Sequence, residues 1–323
     1  MRVREHVDLW LHGFAILQSD STLIPYYRRD YRSRLLAARS AAGVTTQLDV
    51  NADRLRARLA ANPALVSAQF LPLYFASWEE LRQAAELFLR LDGNARGARD
   101  QESANQVATV GAYFATAPDR EWLRLFLQSL DDERAKFYAR YWQDEQRNRA
   151  PAFNRIEAAW RSTYGPRFER FLRNSQQRDG EVLLSLPLAG EGRTLTIPRT
   201  QATTVAVGFP ADTGASLEAV YAFAHEIVGR VANDVVTDNT SPADRRSGVS
   251  DRYASLAAVR GGAMLLKRVA PELETQYMAY YLTLARRAPG SGDIVGAFAT
   301  IFPLPDALRD ALIRQIDIIL GGI

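Results

Sequence analysis

A histidine followed directly by a glutamate is the pair in this sequence whose types and spacing suggest chemistry. His225 and Glu226 belong to the stretch YAFAHEIVGR, which begins at Tyr221. Apolar residues recur at three- and four-residue steps over 216–236, so this segment is predicted to be an amphipathic helix with the pair beside its buried stripe. An imidazole can bind a metal or move a proton, and a carboxylate can act as a general base. A hydrogen-bonded core histidine is the alternative interpretation, and the sequence leaves both open.

The run from the predicted strands into this helix resembles the zincin metallopeptidases, especially the gluzincin branch. In that family the helix carries HExxH, whose two histidines bind zinc and whose glutamate is the general base for the attacking water. Here the motif is HEIVG: His225 matches the first ligand, Glu226 matches the base, and Gly229 stands where the second ligand would be. The resemblance covers residues 180 to 270, approximately, and implies a zincin-like site that has lost a ligand.

The resemblance also concerns the next predicted helix. The third gluzincin ligand is a glutamate there, and in this chain the analogous position is assigned to Arg260, which precedes Gly261 and Gly262. Two glycines inside a helix indicate close packing, and the helix of His225 is the expected neighbour. A guanidinium keeps its charge when buried and fits a carboxylate, so we expect Arg260 to pair with Glu226 where the family holds its metal.

A working metal site would need other ligands beside His225. The remaining histidines, His6 and His12, are six residues apart and do not share a helical face. Oxygen ligands suit zinc less well than histidine does, but carboxylates are available near the motif. The candidates are Glu218, Asp234, Asp238 and Asp251. Zinc therefore stays open as a cofactor.

The elements around the motif predict a mainly α fold with a small antiparallel β-sheet, an α+β protein. Residues 1–175 show helical periodicity throughout and form a predicted helical region. A zincin-like region, 176–323, follows, and the two regions are expected to pack as one compact unit. Its strands are predicted at 181–188, 193–197 and 203–209, and its helices at 216–236, 250–269, 272–287, 293–300 and 305–320.

Local signals give three further expectations for the first half. Asn51 is expected to cap a helix over 52–60, and Ser77 to cap another with Glu80 in the capping-box position. The polar, glycine-bearing segment 93–106 is typical of a surface loop.

Composition excludes several classes of protein. The chain has 323 residues and no cysteine, which excludes disulfides and cysteine metal sites. Its net charge is only +3, and acids interrupt the basic residues, so nucleic acid is not an expected partner. No apolar stretch approaches the roughly 20 residues that span a bilayer. The chain is expected to be cytoplasmic, or exported with its signal peptide removed.

Three hypotheses for function follow. The favoured one is a zincin-like protein whose degenerate site has a binding or structural role, with a peptide or protein held in a cleft beside the 181–209 sheet. The second is an active zinc-dependent peptidase in which His225 binds the metal and Glu226 is the base. The third is a helical scaffold unrelated to zincins. A working site would bring two further nitrogen or oxygen ligands to one point beside His225.

Overall fold

The computed structural model describes residues 1–18, 22–177, 179–197, 202–287 and 292–321. The chain divides into two compact units. The N-terminal unit comprises Val3–Asp20 and Tyr27–Asn148, and the C-terminal unit comprises Met1–Arg2, Ser21–Tyr26 and Arg149–Ile323. The division falls inside a helix, whereas the sequence pattern changes near residue 175, where helices give way to strands.

Helices alone build the described part of the N-terminal unit. They are α1 (Glu5–Leu17), α2 (Tyr31–Ala42), α3 (Gln47–Ala61), a 3-10 segment (Pro63–Tyr74), α4 (Trp78–Arg90), a 3-10 turn (Ala95–Gly97), α5 (Gln101–Gly111) and α6 (Ala117–Glu133), followed by a π-helical turn (Arg134–Tyr138) and the start of α7 (Ala139–Ala159).

The N-terminal unit has an aromatic core between α1 and α6. Trp10 meets Phe126 edge-on with ring centroids 5.0 Å apart, and Trp122 stacks on Phe126 at 4.6 Å. Gly13 allows this approach, because a Cβ there would lie 2.6 Å from the Phe126 ring. Trp10 and Phe14, like Trp122 and Phe126, are four residues apart, so each pair lies on one face of its helix and both faces meet in this core.

Helix starts were predicted with mixed success. Ser77 accepts a hydrogen bond from the Glu80 N–H at 3.1 Å, which confirms that cap. The cap assigned to Asn51 is wrong, because α3 already begins after Thr46, whose N–H donates to Asp49 at 3.1 Å. The loop predicted over 93–106 is also wrong in its second part, because Asp100 accepts from the Ser103 N–H at 2.8 Å and starts α5.

The C-terminal unit surrounds a small sheet with helices. After the end of α7 and a π-helical turn (Trp160–Tyr164) come α8 (Gly165–Asn174), β1 (Glu181–Ser185), β2 (Arg193–Thr196), β3 (Thr203–Gly208), α9 (Glu218–Asn239), α10 (Pro242–Arg246), α11 (Val249–Val269), a 3-10 turn (Pro271–Leu273), α12 (Glu274–Leu284), α13 (Ile294–Ile301) and α14 (Asp306–Gly321). The five helices predicted after residue 216 match α9 and α11–α14, and the fold is mainly α with a small β-sheet, as predicted.

The sheet is mixed, so the prediction of an antiparallel sheet is wrong in one pairing. The strand order is β1-β3-β2, with β1 parallel to β3 and β2 antiparallel to β3. All six residues of β3 are buried, whereas β2 is partly exposed. The buried β3 therefore lies in the centre, between the two strands that precede it in the chain. Because β2 runs opposite to both β1 and β3, β1 and β3 run in the same direction.

Close packing of α9 against α11 explains the first of the paired glycines. A Cβ on Gly261 would lie 2.4 Å from Val228 on α9, so the expected neighbour is confirmed. A Cβ on Gly262 would lie 2.2 Å from the Tyr277 hydroxyl oxygen on α12. The glycines thus bring α11 against two helices at once. No described helix is both long enough and apolar enough to cross a membrane.

Candidate functional site

Helix α9 presents His225 and Glu226 beside its buried apolar stripe, as its sequence pattern predicted. The His225 side chain is 3% exposed, and its ring lies 5.4 Å from the ring of Tyr281 on α12. Glu226 is 10% exposed. Both groups therefore lie in a largely dry environment, where charge interactions are stronger than in water.

A glutamate that the sequence analysis did not identify completes the site. Glu191 lies between Gly190 and Gly192 on the loop from β1 to β2. A Cβ on Gly190 would lie 2.2 Å from a Leu284 side-chain carbon, and one on Gly192 would lie 2.0 Å from the Ala206 carbonyl oxygen. At position 192 only glycine fits, because the atom it approaches is backbone, whereas at position 190 a larger residue would require Leu284 to move. The two glycines thus allow the loop, and with it Glu191, to lie close against the sheet and α12.

The three side chains form a compact cluster, here called the Glu191 cluster, which consists of Glu191, His225 and Glu226. Nε2 of His225 lies 3.0 Å from Oε2 of Glu191 and 3.8 Å from Oε1 of Glu226. The Gly192 N–H donates to Oε1 of Glu226 at 2.8 Å. One donor atom from each of the three side chains lies within 4.8 Å of the others, and no other group of this kind occurs among the described residues.

Burial and the neighbouring negative charges shift the pKa of His225 in opposite directions. Burial alone would lower its pKa, but the charge and hydrogen bond of Glu191, followed by the charge of Glu226, raise the pKa to about 9. The ring is therefore an imidazolium at neutral pH, with its Nε2 proton donated to Glu191. The Ala258 carbonyl on α11 also favours the charged ring, although Nδ1 makes no hydrogen bond of ordinary geometry with any described group.

The Glu226 carboxyl has a raised pKa. Burial raises its pKa, the His225 charge opposes that rise, the Glu191 charge adds to it, and the resulting pKa is about 7. Because these groups interact at close range, they titrate together rather than independently. At neutral pH the cluster thus holds a charged His225 beside a Glu226 carboxyl that is close to its pKa.

The other residues assigned from the zincin resemblance do not join this cluster. Position 229 faces open space, since a Cβ on Gly229 would meet nothing within 4 Å. The Arg260 guanidinium lies over the Phe298 ring at 5.4 Å, and no ion pair between Arg260 and Glu226 occurs in the described part of the chain. Four acidic residues that were considered as replacement ligands are likewise outside the cluster: Glu218, Asp234, Asp238 and Asp251.

The two remaining histidines belong to the N-terminal unit and have structural partners there. Nε2 of His6 lies 3.0 Å from the Phe75 carbonyl oxygen. Nε2 of His12 lies 3.1 Å from Glu133, and both of these side chains are fully buried. Neither histidine belongs to the Glu191 cluster.

A cavity of about 470 Å³ borders the cluster at Glu191. We call it the Glu191 cavity, and its walls are segment 22–26, the first turns of α11 and the residues that follow α13. Such a volume is typical of small-molecule sites. Arg252 and Ser255 bring exposed side chains to it, and the wall is otherwise largely apolar: Leu23, Ile24, Leu256, Val259, Ile301 and Phe302.

Comparison of the chain with protein-family models, curated proteins and solved structures gave no match.

Proposed function

We propose that this chain is a zincin-like binding protein without hydrolytic activity, in which the Glu191 cavity holds a small molecule. The contact between His225 and Glu191 is the observation that carries the proposal. The Nε2 atom with which a zincin histidine would bind zinc lies 3.0 Å from a carboxylate oxygen of the same chain. An internal ion pair thus stands where the resemblance expects a metal.

Two further positions support a binding role rather than catalysis. HExxH places its second zinc ligand one turn after the first, and Gly229 offers no donor atom there. Arg260, at the position assigned to the third ligand, stacks on Phe298 and offers no lone pair to a cation. The zinc ligand set that the resemblance implies is therefore reduced to His225.

A divalent-cation site is the second candidate, because the donor atoms of Glu191, His225 and Glu226 all lie within 4.8 Å of one another. One imidazole and two carboxylates are an acceptable ligand set for zinc and a better one for harder divalent ions. These three residues would hold the ion, and a bound ion would lower the pKa of a coordinated water. Glu226 would then be a ligand and could not serve as the general base.

The proposal is tested by hydrolysis of labelled casein and of short peptides, with zinc supplied. The wild-type rate is expected to equal that of Glu226→Gln and of His225→Ala, because no residue of the cluster carries out a reaction. Thermal unfolding of the same samples shows whether each variant is folded. Hydrolysis by the wild type that disappears in a folded Glu226→Gln protein would contradict the proposal.

A further inference from the structure

The Glu191 cavity carries opposite charges in different parts of its wall. Arg252 is the cation and Glu191 the anion among the described residues that line it. The Arg252 guanidinium makes no hydrogen bond or ion pair with another described residue, whereas Glu191 is bonded to His225. Arg252 is therefore the charged group of this cavity that is available to a ligand.

One face of helix α11 forms the cavity wall between Arg252 and the Glu191 cluster. Arg252, Ser255, Leu256 and Val259 all line the cavity, and their spacing places them on one face of the helix. Seven residues separate Arg252 from Val259, a rise of about 10 Å at 1.5 Å per residue. Ala258, which precedes Val259, is the α11 residue whose carbonyl acts on His225. The wall thus runs from a cation at one end to the Glu191 cluster at the other.

The surfaces between these two ends are apolar. Leu23 is exposed and Ile301 is half-buried, so these two side chains offer the apolar surface that a ligand would cover, whereas Leu256 and Val259 form a base that is already buried. Covering apolar surface with an apolar ligand is favourable by roughly 25 cal/mol per Å². A guanidinium binds a carboxylate with charge-assisted hydrogen bonds, often in pairs.

We propose that the Glu191 cavity binds a linear apolar monocarboxylate, with its carboxylate at Arg252 and its tail directed along α11 toward the Glu191 cluster. The inference rests on the proposed binding function and names its ligand class. A chain of about eight carbons matches the roughly 10 Å of wall at ordinary C–C bond lengths. A second carboxylate at the far end would approach Glu191, the anion of the described cavity wall, and would find no free cation there among the described residues because His225 is already bonded to Glu191, so dicarboxylates of this length are expected to bind more weakly.

The test is calorimetric titration of the full chain with octanoate, octanamide and suberate. Octanoate is expected to bind with a stoichiometry of one. Octanamide has the same length without the charge and is expected to bind about tenfold more weakly or worse, as is suberate, which adds the second carboxylate. The variant Arg252→Gln should lose the preference for octanoate over octanamide, while Arg245→Gln, an exposed arginine outside the cavity, should retain it.

Equal affinities for octanoate and octanamide would overturn the inference, and so would wild-type octanoate affinity in Arg252→Gln or no binding of octanoate at all. Each of these results leaves the proposed absence of hydrolysis intact. Conversely, hydrolysis that depends on Glu226 would overturn the proposed function while octanoate binding at Arg252 could still be observed. The two failures are therefore distinguishable.

Discussion

The variant Glu133→Gln is expected to destabilise the protein by about 3 kcal/mol or more, because it removes one partner from a buried network of charges. Glu133 is fully buried at the end of α6. Its carboxylate lies 3.1 Å from Nε2 of His12 and accepts a hydrogen bond from Arg39 at 2.8 Å. The Thr46 hydroxyl also donates to it. With a neutral amide at position 133, the buried Arg39 would keep its charge and lose its fully buried carboxylate partner, and only the partly exposed Asp49 would remain to pair with it.

Urea unfolding of the two proteins measures this effect. The matched control is Glu121→Gln, since Glu121 pairs with Arg54 and Arg124 where all three side chains are exposed. Exposed pairs contribute roughly 0 to 1 kcal/mol, so the control should unfold close to the wild type. Equal unfolding midpoints for Glu133→Gln and Glu121→Gln would contradict the stabilising role of the network.

The same network gives a stability that depends on pH. Burial alone would raise the pKa of Glu133, but the His12 hydrogen bond and the charges of His12 and Arg39 lower it below its usual value. A lowered pKa means that the stabilisation is present above the unfolded-state value of about 4.3 and is lost as the pH falls through the folded-state value. The wild type should therefore lose more stability than Glu133→Gln on acidification through this window.

The variant Gly192→Ala is expected to have the next largest effect, because its methyl group would meet backbone rather than a movable side chain. The added Cβ would lie 2.0 Å from the Ala206 carbonyl oxygen and 3.4 Å from Cδ of Glu226. Ala206 is at the centre of the buried β3, so the loop must move instead. This movement would break the 2.8 Å hydrogen bond from the Gly192 N–H to Glu226 and displace Glu191. Overpacking of this kind costs about 1–3 kcal/mol.

Gly229→Ala is the control for this variant. Position 229 lies inside α9, and a Cβ there meets nothing within 4 Å. Alanine is favoured over glycine in a helix interior by about 1 kcal/mol, so this variant should be more stable than the wild type. The unfolding temperature of Gly192→Ala should therefore be lower than that of the wild type, and the unfolding temperature of Gly229→Ala should be higher. A Gly192→Ala protein as stable as the wild type would contradict the close approach of the loop to β3.

Elements with regular apolar spacing could be predicted from the sequence, and the position of β3 could not. Helices α9 and α11–α14 follow from their periodicity, because each buries one face. The central place of β3 depends on which strand is most deeply buried, and that is a property of the assembled unit. Thr46 starts α3 although Asn51 has a suitable side chain, because the buried Leu48 lies one turn before the buried Ala52 and extends the apolar face of the helix toward Thr46.

Only part of the candidate site could be predicted from the sequence: His225 and Glu226 could, and Glu191 could not. His225 and Glu226 are adjacent in the sequence, so their proximity needed only the helix. Glu191 is 34 residues earlier, and only the folded loop brings it to His225. A signal was nonetheless present, because Gly190 and Gly192 flank Glu191, and glycines on both sides of a charged residue indicate a close backbone approach. Arg260 could be placed on α11, but its stacking on Phe298 depends on the position of α13.

Metal content tests the central claim that the His225–Glu191 ion pair stands in place of a metal. Wild type, His225→Ala and Gly229→His would be purified without an affinity tag, supplied with zinc, desalted and analysed by plasma mass spectrometry. The wild type is expected to retain far less than one zinc per chain, the same as His225→Ala. Gly229→His, which restores a second histidine one turn from the first, is expected to retain more. Near-stoichiometric zinc in the wild type that is lost in His225→Ala would contradict the account.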